Sequence, residues 1–136
     1  MDRLVLDTNS LIQSLPTKSR YHDLWVSLFD GRNIFCVSNE ILEEYEEILQ
    51  RKINGTLTSR VISAILSNEY TSLVTPYFHF KLIQADEDDN KFVDCAVCGN
   101  AKVIVTEDHH FNVLRDITFP KVDICSLDEI MNHLGH

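Results

Sequence analysis

The sequence predicts a three-layer α/β/α sandwich around a central, mainly parallel sheet, and two observations carry that expectation. Short apolar runs, RLVLD at 3–7, NIFCV at 33–37, SLVT at 72–75 and VIV at 103–105, have the length and β-branching of buried strands. Between them lie longer segments whose apolar residues recur every three or four positions, as on one face of a helix. Buried strands that alternate with amphipathic helices form a parallel sheet covered on both faces, with right-handed crossovers. The 136 residues suit one domain over 1–136 with a single core. An apolar share of 44% with 4 Gly and 3 Pro argues against disorder.

The first strand ends in Asp7 and runs into Thr8, Asn9 and Ser10, capping residues for the helix opened by Leu11 and Ile12. PTKSR at 16–20 is a basic, turn-rich loop. Leu24, Trp25, Leu28 and Phe29 stand in helical register until Gly31 stops them. After the second strand, Ser38 and Asn39 are N-caps for a helix whose apolar face is Ile41, Leu42, Tyr45, Ile48 and Leu49. Glu43 and Glu47 point away from that face, whereas Glu44 and Glu46 flank it. Helical side chains lean towards the N-terminus, so Glu44 is the better placed to reach a site at that end.

Beyond Gly55, Val61, Ile62, Ile65 and Leu66 mark another helix. The third strand, at 72–75, is ended by Pro76, and 77–83 reads as an irregular connector or edge strand. In the stretch 86–108, Phe92, Val93, Ala96 and Val97 share one helix face ahead of the VIV strand. At about 100° per residue, Asp89 joins that stripe and Asp94 falls away from it. A carboxylate on an apolar meridian is costly unless something pairs with it. A short helix at 109–114, a strand at 122–125 and a last helix with a Ser126–Glu129 capping box complete the chain.

This element order gathers acids. In a parallel α/β sheet the C-terminal ends of strands and the N-terminal ends of the following helices share one edge, where ligands bind. Asp7, Glu44, Asp89 and Asp108 all fall at that edge. Packed carboxylates repel one another and invite cations, and an all-oxygen set suits Mg2+ or Mn2+. One or two such ions would serve in-line attack on a phosphodiester. Taken singly, each acid also has a bland reading: Asp7 and Asp108 as helix caps, Asp89 as a helix-dipole partner, Glu44 as a solvated charge.

A net charge of −9 argues against a nucleic-acid partner unless bound cations reverse the local sign. Cys36 and Cys125 read as buried hydrophobes; Cys95 and Cys98 form a C-x-x-C pair that lies mid-helix and lacks a second pair for zinc. No apolar run approaches the ~20 residues of a membrane helix, and the chain starts directly on a strand pattern, so a cytoplasmic location is expected.

LVLDTN at 4–9, ILEEYEEIL at 41–49, DEDDNKFVDCAV at 86–97 and VIVTEDHHF at 103–111 together resemble the PIN-domain (PilT N-terminus) family. The likeness is to its toxin-type, VapC-like members in bacterial toxin–antitoxin pairs. It implies a Mg2+- or Mn2+-dependent endoribonuclease that cuts RNA, usually forms a homodimer and is restrained by a small antitoxin protein. The family's acids map onto Asp7, Glu44, Asp89 and Asp108 as catalytic and metal-holding residues, with Glu43 as the alternative register for Glu44. Asn9 and Thr106 match polar positions that orient the acids or bound water. Asp94 matches a commonly acidic position, although its helical angle points it off the stripe.

Among the basic residues, Lys18 and Arg20 are the candidates for phosphate contact. A phosphotransfer receiver domain would need paired acids after the first strand and an acceptor aspartate after the third, where Pro76 stands. A haloacid-dehalogenase-type phosphatase needs an acid where Asn9 stands. The remaining alternative is a catalytically silent PIN-like module that binds RNA or protein, which the sparse basic surface keeps open.

Overall fold

Leu4, Val5 and Leu6 are all fully buried. Successive strand side chains point to opposite faces, so both faces of the sheet around them are covered. The computed structural model, which describes residues 1–135, places these residues in β1 (Asp2–Leu6) at the centre of a five-stranded sheet. Its partners are β2 (Asn33–Val37), β3 (Thr71–Leu73), β4 (Val103–Val105) and β5 (Ile124–Cys125). The order is β3-β2-β1-β4-β5 and every pairing is parallel. Leu4 stands opposite Phe35 on one side and Val103 on the other.

The helices are α1 (Thr8–Ser14), α2 (His22–Ser27), α3 (Asn39–Lys52), α4 (Gly55–Ser67), α5 (Asn90–Cys98) and α6 (Leu127–His133). Apolar periodicity sets their buried faces: α3 buries Ile41, Leu42, Tyr45 and Leu49, and α5 buries Phe92, Val93, Cys95 and Ala96. Ser38 and Ser126 cap α3 and α6, the latter as a full capping box with Glu129. The turn after α2 closes on Gly31 at φ +89°, a backbone that side chains with a Cβ rarely adopt.

The expected architecture holds, with local shifts. β1 ends one residue early because Asp7 turns out of the strand to cap α1, its carboxylate accepting from Ser10 N at 2.9 Å. Thr8, Asn9 and Ser10 therefore lie inside the helix rather than capping it. β3 and β5 are shorter than the apolar runs that announce them, since only part of each run meets a neighbouring strand. The segment His109–Asp116 is a 3-10 helix, and a 3-10 turn at Glu87–Asp89 precedes α5.

Two contacts hold α3 and the connector 77–83 in place. Tyr45 is fully buried, and its hydroxyl donates to Leu6 O at 2.5 Å, tying α3 to the last residue of β1. Asn90 clamps Ile83 through both backbone groups, at 2.9 and 2.8 Å. All four cysteines are free thiols, and burial pushes Cys95 well above the ordinary thiol range. Cys95 therefore lacks the depressed pKa of a reactive thiol.

Candidate active site

The strand order changes direction between β1 and β4, and in parallel sheets the ligand crevice opens at the C-terminal ends of such a pair. Asp7 leaves β1 there, and its backbone N–H still reaches Val105 O across the gap at 3.1 Å. Thr106 and Asp108 follow β4 on the other side. A cleft of about 310 Å3 at this point is lined by Asp7, Thr8, Asn9, Glu44, Asp89, Phe92, Glu107 and Asp108. Topology thus brings the four expected acids, together with Asn9, to one opening.

Each acid is held differently. Asp7 is 6% exposed, and its second carboxylate oxygen accepts from Thr106 Oγ1 at 2.5 Å. The same hydroxyl accepts from Asp108 N at 3.0 Å, so Thr106 couples the acid after β1 to the acid after β4. Asp108 caps the 3-10 helix by accepting from His110 N at 2.9 Å. Burial raises the Asp7 carboxyl above its ordinary range, against the hydrogen bonds from Thr106 and Ser10.

Asp89 is strongly perturbed. Burial first, then the charges of Asp86 and Asp108, push its carboxyl up to about 7. Its Oδ2 is buried and, among the described residues, lacks a hydrogen-bond partner. An unpaired carboxylate oxygen in such a place carries a desolvation cost that a cation would remove. Hard divalent cations favour the carboxylates gathered here, so the donor set fits a metal ion.

Glu44 stands apart in one respect. Lys91 Nζ donates to its Oε1 at 2.8 Å, and Thr8 Oγ1 donates to its Oε2. Burial disfavours the Lys91 ammonium, but Glu44 more than offsets this and raises its pKa. Both oxygens of Glu44 are therefore engaged within the chain, whereas Asp89 Oδ2 is not.

Asp94 lies elsewhere. It is 4% exposed, but its oxygens accept from Phe80 N and meet His79 Nδ1, each at 3.0 Å. It lines a larger depression of about 670 Å3 with Glu40, His79 and Lys81. The off-stripe angle read from the sequence corresponds to this second location, where Asp94 holds the connector. Arg20 pairs with Asp128 at 2.7 Å, and Lys18 is exposed on the 16–20 loop; neither lines the acidic cleft.

Sequence reasoning missed Lys91, His110 and Glu107. Lys91 was visible as the lone cation within DEDDNK, and His110 as an imidazole two residues after Asp108. His110 Nδ1 is buried without a hydrogen-bond partner among the described residues, 3.4 Å from Asp108 Oδ1 and 4.0 Å from Asp89 Oδ2. Glu107 lines the cleft while its Oε1 accepts from Leu127 N at 2.7 Å. Nothing in the sequence foretold that bond, because it depends on where α6 docks.

A PIN domain profile matches residues 3–110. No curated protein matches the sequence significantly. Among solved structures, VapBC2 from Rickettsia felis, bound to a DNA fragment from its promoter, aligns at TM-score 0.64 and 14% identity. The alignment covers 91% of this chain and 98% of that one. VapBC-1 from nontypeable Haemophilus influenzae aligns at TM-score 0.63 and 17% identity, over 93% and 98% of the two chains. DNA-bound VapBC from Salmonella typhimurium aligns at 0.62 and 19%, over 93% and 99%. At these identities the likeness establishes the fold. The family rests on the profile match across most of the sequence: the chain belongs to the PIN-domain family.

Proposed function

We propose that the protein is a divalent-cation-dependent endoribonuclease acting as the toxin of a toxin–antitoxin pair, with Mg2+ or Mn2+ as its ion. The observation that carries this reading is the convergence of Asp7, Asp89 and Asp108 on one crevice, with Asp89 Oδ2 buried and unpartnered. Asp7, Asp89 and Asp108 would hold the ion, with Glu44 on the crevice wall. When bound, the ion supplies Lewis-acid stabilisation of developing phosphate charge and lowers the pKa of water. The chain does the rest by positioning. Thr106 aims Asp7, Thr8 and Lys91 fix Glu44, and Tyr45 anchors the end of β1.

A small antitoxin is the proposed restraining partner, and a homodimer the proposed assembly. Support comes from the toxin-type resemblance and from an apolar groove lined by Ile12, Leu15, Trp25, Leu57 and Val61, suited to an amphipathic helix. Among the described residues no helix is long and apolar enough to cross a membrane. The silent-module alternative has one observation in its favour, the internal neutralisation of Glu44 by Lys91.

Purified protein should cut RNA with Mg2+ or Mn2+ and stop when EDTA is added. Asp89→Asn should lower cleavage by roughly 100-fold or more, the scale of losing one electrostatic group from an active site, with the circular dichroism spectrum unchanged. Undiminished cleavage by that variant would refute the assignment.

A further inference from the structure

We propose that His110 is a nitrogen ligand to the ion held by Asp89 and Asp108, an inference that rests on reading this crevice as a cation site. Two buried atoms without hydrogen-bond partners, His110 Nδ1 and Asp89 Oδ2, face each other there. Their 4.0 Å separation, and the 3.4 Å from Nδ1 to Asp108 Oδ1, exceed an ordinary N–H···O bond. Ligands about 2.1 Å from a common ion stand about 3 Å apart when adjacent and about 4.2 Å apart when opposite, so each of these two spacings, taken as a pair, suits His110 and one acid on a single cation.

Ligand atoms of Asp86, Asp89 and His110 all lie within 4.8 Å of one another, as do those of Asp108, His109 and His110. Asp89 and Asp108 fall in different groups, and His110 is the member that links the two. The main chain that carries its ring is fixed against the same acid, because His110 N donates to the Asp108 carboxylate. His109 is the natural control, since its side chain is 84% exposed.

The acids alone form the all-oxygen set that Mg2+ prefers. An added imidazole turns the site towards Mn2+ and later first-row ions, which accept nitrogen more readily. His110 thus acts as a metal-selectivity residue.

The test is pulsed electron paramagnetic resonance of the full-length chain loaded with Mn2+, beside calorimetric titrations with Mn2+ and Mg2+. Directly bound 14N should modulate the Mn2+ echo, and 15N-histidine labelling should change the pattern without any substitution. His110→Gln should abolish the coupling and weaken Mn2+ binding roughly tenfold, the scale on which metal sites respond to a lost neighbouring group. Mg2+ affinity should stay nearly constant, and His109→Gln should keep the coupling. Bound Mn2+ without nitrogen coupling, or coupling that survives His110→Gln, overturns the inference even if RNA is cut. Nitrogen coupling without RNA cleavage upholds it and overturns the nuclease reading instead. Absence of Mn2+ uptake overturns both.

Discussion

Lys91 Nζ sits 2.8 Å from Glu44 Oε1, and both side chains are largely buried, at 17% and 21% exposure. A crevice rich in carboxylates thus contains its own cation, supplied by the first turn of α5 to an acid of α3. The pair neutralises one of the four acids and leaves the charge of the other three to be met from outside. Removing one partner of a partly buried ion pair leaves the other charge uncompensated. Lys91→Gln should therefore cost about 1–2 kcal/mol of stability in EDTA. It should also tighten Mn2+ binding, because Glu44 is released towards the crevice. Paired melting curves and calorimetric titrations check this; a variant that binds Mn2+ more weakly would show that Lys91 supports the ion rather than competing with it.

The pH dependence follows from Asp89. Its carboxyl is raised from 3.8 to about 7 by burial and then by Asp86 and Asp108. Between those values the folded chain keeps a proton that the unfolded chain has released, so stability falls as pH rises through the interval. Asp7, raised by burial, acts in the same sense. Asp30, which hydrogen bonds from Arg32 hold below its ordinary value, acts oppositely, but only below that range. In EDTA the melting temperature should be lower at about pH 7.5 than at about pH 5.5. Saturating Mn2+ should shrink or invert the difference. A melting temperature that climbs across this interval without metal would contradict the proposed crowding of carboxylates.

Thr106 joins Asp7 to the backbone of Asp108 through one hydroxyl. Thr106→Val keeps the side-chain shape and deletes that link. A loss of about 1–2 kcal/mol in stability is expected for the severed hydrogen bonds, with a larger proportional fall in RNA cleavage as Asp7 loses its orienting donor. Thr106→Ser should recover most of the cleavage. Equal activity in the valine and threonine proteins would remove Thr106 from the positioning scheme.

Asp94 offers a contrast with the crevice acids. Its carboxylate holds Phe80 N and His79 rather than facing the crevice. Asp94→Ala should destabilise the protein by about 1–3 kcal/mol, the scale for hydrogen bonds to a charged acceptor. Mn2+ affinity per folded molecule should stay unchanged. A calorimetric titration on the folded variant showing lost Mn2+ binding would return Asp94 to the ligand set.

Apolar periodicity was enough to place the strands and helices in order, because a buried strand and a half-buried helix demand different repeats of hydrophobic side chains. Once that order stands, the parallel sheet brings Asp7, Glu44, Asp89 and Asp108 to one edge. The periodicity also separated Asp94 from Asp89, although it could not say that the connector carrying His79 and Phe80 would close over Asp94. The ends of β1 and β3 were less legible, because Asp7 turns out of its strand to cap α1, and β3 stops where its pairing with β2 stops and not where its apolar run does.

Sequence alone therefore determined the fold class, the shared rim of acids and the family to which the pattern belongs. Tertiary structure decided which acids are already satisfied: Lys91 takes Glu44, Thr106 takes Asp7, and Asp89 is left facing His110. The reason is physical. Repeating hydrophobicity is a local property of the chain, whereas the partner of a buried charge is set by distances of a few ångströms between elements far apart in sequence, and those distances exist only after the helices have docked on the sheet.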